Sequence, residues 1–185
     1  MSRKESQVSF EICILAGGLS RRMGRDKSRV RLAGRAMLGR VRANAEKTGW
    51  PTRVIREDLV PGCGPLGGIY TALATTKAEA VLFLACDMPF VSGELIALMI
   101  EKFHSARAAV FVSFAHQVGF PFILARDVLP LLSRQLARKE FAIWSLARKL
   151  EAKIFRPSAQ LAAQLRNVNT PEDLASASVA IGKGC

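Results

Sequence analysis

At 185 residues and 50% hydrophobic, the chain has the length and apolar content of one domain with a real core. That excludes a disordered chain, and four Cys over such a length exclude a disulfide-stapled miniprotein. With 27 Lys and Arg against 15 Asp and Glu, the net charge of +12 favours acidic partners: nucleic acid, an anionic membrane or small phosphorylated molecules.

Met1 to Phe10 is polar and has no secretory-signal core, and no run approaches the roughly 18 apolar residues of a membrane span. Cys13, Cys63, Cys86 and Cys185 form no C-x-x-C pair, so reduced thiols in a cytoplasmic protein are expected. A single domain over 1–185 is expected, with loosely ordered tails at Met1 to Val8 and Ser176 to Cys185.

In chain order, Ser9 to Leu15 is a buried strand that stops at Ala16-Gly17-Gly18. Arg35 to Lys47 has a helical pattern, and Thr52 to Arg56 reads as a brief strand. Gly62 to Gly68 is a Gly/Pro loop, continued by a helix over Ile69 to Thr76. Ala80 to Ala85 is continuously apolar, as a parallel strand covered on both faces requires. Ser92 opens a helix with Leu95, Ile96, Met99, Ile100 and Phe103 at helical spacing. Strands follow at Ala109 to Ser113 and Phe120 to Leu124, then helices at Asp127 to Lys139 and Phe141 to Leu150. Asn167-Val168-Asn169 ends a short strand. Thr170-Pro171-Glu172-Asp173 then caps the last helix, with Thr at N-cap, Pro at N1 and Asp at N3. The alternation predicts an α/β fold: a three-layer, Rossmann-like, open and mostly parallel sheet with helices on both faces. Ligands of such sheets bind beyond the carboxyl ends of strands, where the strand order reverses.

The first loop meets that description. Gly17 and Gly18 let backbone N–H groups approach anionic oxygens, Ser20 adds a hydroxyl, and Arg21, Arg22, Arg25 and Lys27 surround them with positive charge. This chemistry suits a triphosphate, although no Walker A pattern is present. A Gly-Gly turn alone would be a solvated turn; the basic residues and the preceding strand argue for function. Asp26 has a local use as a partner of Arg22 or Arg25. Asp87 ends the most apolar strand, where a buried charge needs a partner and a Mg²⁺ bridging phosphate oxygens would supply one. The alternative is a polar cap on the next turn. Gly62-Cys63-Gly64-Pro65-Leu66-Gly67 spells G-x-G-x-x-G, with Asp87 20 positions on. A dinucleotide site is disfavoured, because Leu59-Val60-Pro61 part these glycines from the strand and Pro65 lacks an N–H.

The run L-A-G-G-x-S-x-R-M-G-x-D-K resembles the signature of molybdenum cofactor guanylyltransferases of the MobA type, within the nucleotidyltransferases that make sugar nucleotides. Three further segments match in order: Gly64-Pro65-Leu66-Gly67-Gly68, Cys86-Asp87-Met88-Pro89-Phe90 and Asn167-Val168-Asn169-Thr170-Pro171-Glu172-Asp173-Leu174. The resemblance implies transfer of GMP from GTP to the terminal phosphate of molybdopterin, with release of pyrophosphate. It implies catalysis by Arg22, Lys27 and Asp87, with Mg²⁺ as cofactor on Asp87. It implies a GTP site of Leu15, Ala16, Gly17, Gly18, Lys27, Asn44, Asp58 and Asp87, a base and ribose pocket shaped by the Gly-Pro-Leu-Gly loop, and a pterin site at Asn167 and Asn169. Gly18 favours GTP, since cytidine-using relatives tend to read L-A-A-G. A related transferase using CTP or another NTP on a different phosphorylated acceptor, and a non-catalytic GTP-binding relative, are the alternatives.

The expected partners are GTP, molybdopterin and other molybdenum cofactor biosynthesis or acceptor proteins, with no nucleic acid and no membrane. One departure stands out: Lys27 to Asp58 is short for the resembled pattern, as though half a βα unit were missing beside the base pocket. His104 and His116 are isolated and read as surface or lightly buried residues. Phe141, Trp144 and Leu146 read as helix packing, with a shelf for a pterin ring as the alternative. The basic residues Arg134, Arg138, Lys139, Arg148, Lys149, Lys153 and Arg156 fit either solvated helix faces or a surface drawing in an anion.

Overall fold

The computed structural model describes residues 8–17, 30–106 and 108–182. Strand β1, Phe10–Leu15, lies between β4, Thr52–Ile55, and β5, Ala80–Ala85, and runs parallel to both. Two short strands precede β4: β2, Arg31–Leu32, and β3, Arg35–Ala36, pair into a separate small hairpin. Beyond β5 come β7, Gln117–Ala125, then β6, Ala109–Phe114, then β8, Lys153–Phe155. β7 is antiparallel to both neighbours, and β8 is parallel to β6. Five of the six strands therefore point the same way, and their carboxyl ends share one rim.

Both faces of the sheet are covered, which explains why β5 is apolar at every position. On one face α1, Met37–Glu46, and α3, Gly93–His104, pack Leu38, Val41, Leu95, Ile96 and Met99 against Ile12, Ile14, Leu82 and Leu84. On the other, α2, Pro65–Thr75, α4, Leu129–Ala137, and α5, Ile143–Lys149, pack Leu66, Ile69, Leu132 and Leu146 against Cys13, Val81, Phe83 and Phe122. The expected three-layer, mostly parallel arrangement is what forms. Cys13 is a buried member of this core, and burial pushes its thiol up to about 12, the behaviour of an inert small hydrophobe. No described helix is long and apolar enough to cross a membrane.

Several elements differ from the sequence expectation. Helix α2 begins at Pro65 rather than Ile69; proline suits N1, where its missing N–H has no helical partner to lose. Asn167 to Asn169 is not a strand, because its Val168 N–H donates to a single carbonyl outside any ladder. β8 was not anticipated, being three residues at a sheet edge. Helix α6, Ala159–Ala162, is a single turn, and α7, Pro171–Gly182, runs through the stretch expected to be loose, burying Ala177. Only α1 and β4 stand between the small hairpin and Asp58, so β4 pairs with β1 directly and forms the sheet edge. That matches the shortness seen in the sequence.

Register aligns Phe83, Phe122 and Phe111 in one row across β5, β7 and β6, with ring centroids 5.1 and 4.6 Å apart. All three are fully buried. Replacing Phe122 with Ala is expected to cost about 3–5 kcal/mol, measured by chemical denaturation, because a close-packed row cannot collapse into the cavity.

Candidate functional site

The chain leaves β1 for β4 on one side and then crosses to β5 on the other, so strand order reverses around β1. There Leu15 pairs with Ala85, the Cys86 N–H donates to the Leu15 carbonyl at 3.1 Å, and the Ala16 N–H donates to the Ile55 carbonyl at 2.9 Å. These bonds bring three segments to the rim: Leu15 to Gly17, Arg56 to Asp58, and Cys86 to Asp87.

Asp58 occupies the gap between the first loop and the start of α2. A Cβ on Gly67 would stand 2.7 Å from Asp58 Oδ2 and 2.7 Å from the Val60 carbonyl oxygen. On Gly68 it would stand 3.3 Å from Asp58 Oδ1 and 3.2 Å from Leu15 Cδ2. On Gly17 it would meet the Arg56 carbonyl oxygen at 3.0 Å. Glycine is required because backbone and carboxylate are packed together. The Leu59 backbone meets the same helix, its N–H donating to Thr71 Oγ1 at 2.8 Å. The half-buried Asp58 carboxylate has no hydrogen bond or ion pair among the described residues, and burial holds its pKa above the ordinary aspartate value.

The second cluster surrounds Asp87, which is half-buried just past β5. Its carbonyl accepts the Val168 N–H at 2.9 Å, which brings Asn167 and Asn169 to the rim. Asp173 fixes that segment: its Oδ2 accepts the N–H groups of Asn169 at 2.9 Å and Thr170 at 3.0 Å, while its own N–H donates to Thr170 Oγ1. The Asn169 amide, then that of Thr170, holds the Asp173 carboxyl below its ordinary pKa. The capping pattern was legible in sequence; its second use, holding Asn169 near Asp87, was not.

Leu15, Ala16, Gly17, Asp58, Asp87, Asn167 and Asn169 thus come to one rim. Asn44 is bonded to the turn that follows Asp87. It lies on α1, and its Nδ2 donates to the Val91 carbonyl at 3.0 Å, tying that helix to the turn before α3. Gly18, Ser20, Arg21, Arg22, Arg25, Asp26 and Lys27 lie outside the described residues. Gly67 and Gly68, expected in a loop, stand in the first turn of α2, where two glycines lower helix propensity and mark a close approach. Among the described residues no group of three or more His, Cys, Asp or Glu forms a metal cluster.

The family model for the MobA-like NTP transferase domain matches residues 12–154. A Pelotomaculum thermopropionicum protein named "Probable molybdenum cofactor guanylyltransferase" is 31% identical over 186 residues, covering 90% of each chain. A Bacillus licheniformis protein of the same name is 33% identical over 181 residues, covering 87% of this chain and 92% of that one. The crystal structure of molybdopterin-guanine dinucleotide biosynthesis protein A from Archaeoglobus fulgidus superposes with a TM-score of 0.77, over 94% of this chain and 99% of that one, at 23% identity. A 4-diphosphocytidyl-2C-methyl-D-erythritol synthase from Anaerococcus prevotii superposes with a TM-score of 0.74, over 95% and 99%, at 13% identity. These last two likenesses show the fold alone.

Gly67→Ala tests the packing around Asp58. The added methyl meets a backbone carbonyl and a carboxylate at 2.7 Å, so the expected loss is about 1–3 kcal/mol in denaturant unfolding, with weakened nucleotide binding.

Proposed function

This chain belongs to the MobA-like NTP transferase domain family, and we propose that it transfers GMP from GTP to the terminal phosphate of molybdopterin, forming molybdopterin guanine dinucleotide. The observation that carries the choice of base is Asp58. Guanine presents two adjacent donors, N1–H and the N2 amino group, and a carboxylate with no donor among the described residues is their complement. Cytosine offers a donor beside an acceptor and would leave one carboxylate oxygen facing a lone pair. The names of the aligned relatives support the same base.

In the reaction an oxygen of the acceptor phosphate forms a bond to the α-phosphorus of GTP. The bond from that phosphorus to the β-bridging oxygen breaks, and pyrophosphate leaves with the electron pair. The attacking phosphate is already anionic, so no general base is needed. Catalysis reduces to alignment and charge neutralisation. The Gly17 amide lies at the end of β1, where it can meet phosphate oxygens. In the proposal Arg22 and Lys27 neutralise the β- and γ-phosphates. Asn167 and Asn169, fixed through Val168 and Asp173, orient the acceptor near Asp87.

The donor set at Asp87 fits Mg²⁺. This hard cation typically takes one or two protein carboxylates and fills the rest of its shell with phosphate oxygens and water, so a single aspartate suffices. When bound, Mg²⁺ would supply neutralisation of the charge developing on the leaving pyrophosphate.

A Mg²⁺-dependent assay with GTP and molybdopterin, reading pyrophosphate release, tests the proposal. Tight GTP binding without release would identify a non-catalytic relative. Asp87→Ala and Lys27→Ala are each expected to lose most turnover, with GTP binding weakened more by the lysine change. Near-normal transfer by the Asp87 variant overturns the cation assignment. Asp58→Asn is expected to lose tenfold or more in preference for GTP over CTP. Burial raises the Asp58 pKa, so the ionised carboxylate opposes folding above that pKa and the neutral amide does not. The Asn variant should therefore unfold no more easily at pH 7. GTP affinity of the wild type should fall on acidification from above the ordinary aspartate range, and the Asn variant should lack that titration.

A further inference from the structure

The hairpin of β6 and β7 reaches past the end of β5. Pairing continues through Val112–Gly119 and Ser113–Val118 to Phe114–Gln117, beyond the Phe83–Phe122 level at which the β5–β7 pairing ends. β8 runs parallel beside β6 with Phe155 opposite Val112, which sets Arg156 and Pro157 next to Ser113 and Phe114. These residues, with Ala115 and His116 at the turn, line a cavity of about 410 Å³. Its volume is within the range of small-molecule sites.

Three features separate this cavity from an ordinary turn. Ala115 and His116 both have left-handed backbones, with φ of 48° and 62°, where a two-residue hairpin turn ordinarily takes Asn-Gly or Gly. Such strain is often kept at binding sites. Phe114 is 42% exposed, an apolar side chain presented at the tip. Arg156 is exposed and makes no ion pair among the described residues. The lining thus combines two N–H-bearing side chains, a hydroxyl, an aromatic ring and a proline ring. That set suits a flat heterocycle bearing carbonyl or anionic atoms at its edge.

The place of the cavity relates it to the reaction. β5, β6 and β8 point the same way, so their carboxyl ends lie on the rim that carries Asp87. Three strand spacings separate β5 from β8, about 14 Å. Resting on the transferase reading above, we propose that this cavity is the distal subsite for the acceptor. It takes the flat pterin end while the phosphate end lies near Asp87, with Arg156 and His116 donating to the ring's edge atoms and Phe114 and Pro157 supplying apolar contact.

Two full-length variants test this. Arg156→Ala removes an exposed side chain, and His116→Asn removes the imidazole while keeping a residue that tolerates the left-handed region. Each is expected to raise KM for molybdopterin tenfold or more, while KM for GTP and kcat at saturating acceptor stay within twofold. An unchanged acceptor KM overturns the subsite. A second arm titrates wild type and variants with unphosphorylated 6-hydroxymethylpterin, read by its fluorescence. Binding lost in Arg156→Ala and not displaced by inorganic phosphate supports the subsite. Displacement by phosphate at matching concentration means a simple anion site and overturns it. The two readings fail separately. Pterin binding that needs Arg156, in a protein that transfers nothing to molybdopterin, removes the reaction and leaves the subsite. Transfer with pterin binding indifferent to Arg156 removes the subsite alone. Neither transfer nor pterin binding removes both.

Discussion

The parallel register of β1 between β4 and β5 is the constraint on which the rest of the site depends. Leu15 pairs with Ile55 on one side and Ala85 on the other, so all three strands end at one level. Each strand's next residues then enter the same space. A one-residue slip of either neighbour would turn its inward side chains to the opposite core and carry Asp58 or Asp87 away from Gly17. The apolar interiors of both sheet faces therefore do more than stabilise the fold. They fix the level at which two carboxylates and a glycine loop meet.

Packing around Asp58 shows how the site trades local preference for a tertiary fit. Gly67 and Gly68 each weaken the first turn of α2 by roughly 1 kcal/mol relative to alanine. The gain is an approach that no Cβ would allow, placing a carboxylate against a helix start with no donor to it among the described residues. Helix N-termini favour negative charge while burial opposes it, and the raised pKa says that burial prevails here. A carboxylate in that condition is suited to a ligand that brings its own N–H groups.

The legible parts of the sequence were those set by local pattern. β5 is apolar throughout because both faces are covered, and the Ser92 cap and the Thr170–Asp173 box name their helix starts directly. The rim residues Leu15 to Gly17 and Asp87 were readable as a strand end entering a glycine loop and a charge closing a buried strand. What stayed hidden was set by partners distant in sequence. Lys153–Phe155 is too short to announce a strand and exists as one through its pairing with β6. Asn167 to Asn169 has one β-branched residue between two asparagines, and the partner of the Val168 N–H is a single carbonyl, that of Asp87. The start of α2 was obscured because glycines demanded by Asp58 look like loop glycines when Asp58's position is unknown. Asn44 was placed by motif order alone, and its bond to Val91 belongs to helix packing.

The positive charge can now be divided by what it touches. Arg53 is tied to Glu11, Arg42 to Glu46 and Lys149 to Glu140, while Arg40 donates to the Leu32 and Ala33 carbonyls. Arg148 lies over the Trp144 ring, 5.4 Å from its centroid. These cations serve the fold. Arg156 makes no ion pair among the described residues and stands just past β8, whose direction brings it to the rim. A charge left free by the fold at the mouth of a site for polyanions draws substrate in before any contact forms, and its effect falls as salt rises. Rim charge of this kind changes the encounter more than the chemistry, so the cations that fix the fold and those that serve the substrates can be told apart by salt dependence as well as by position.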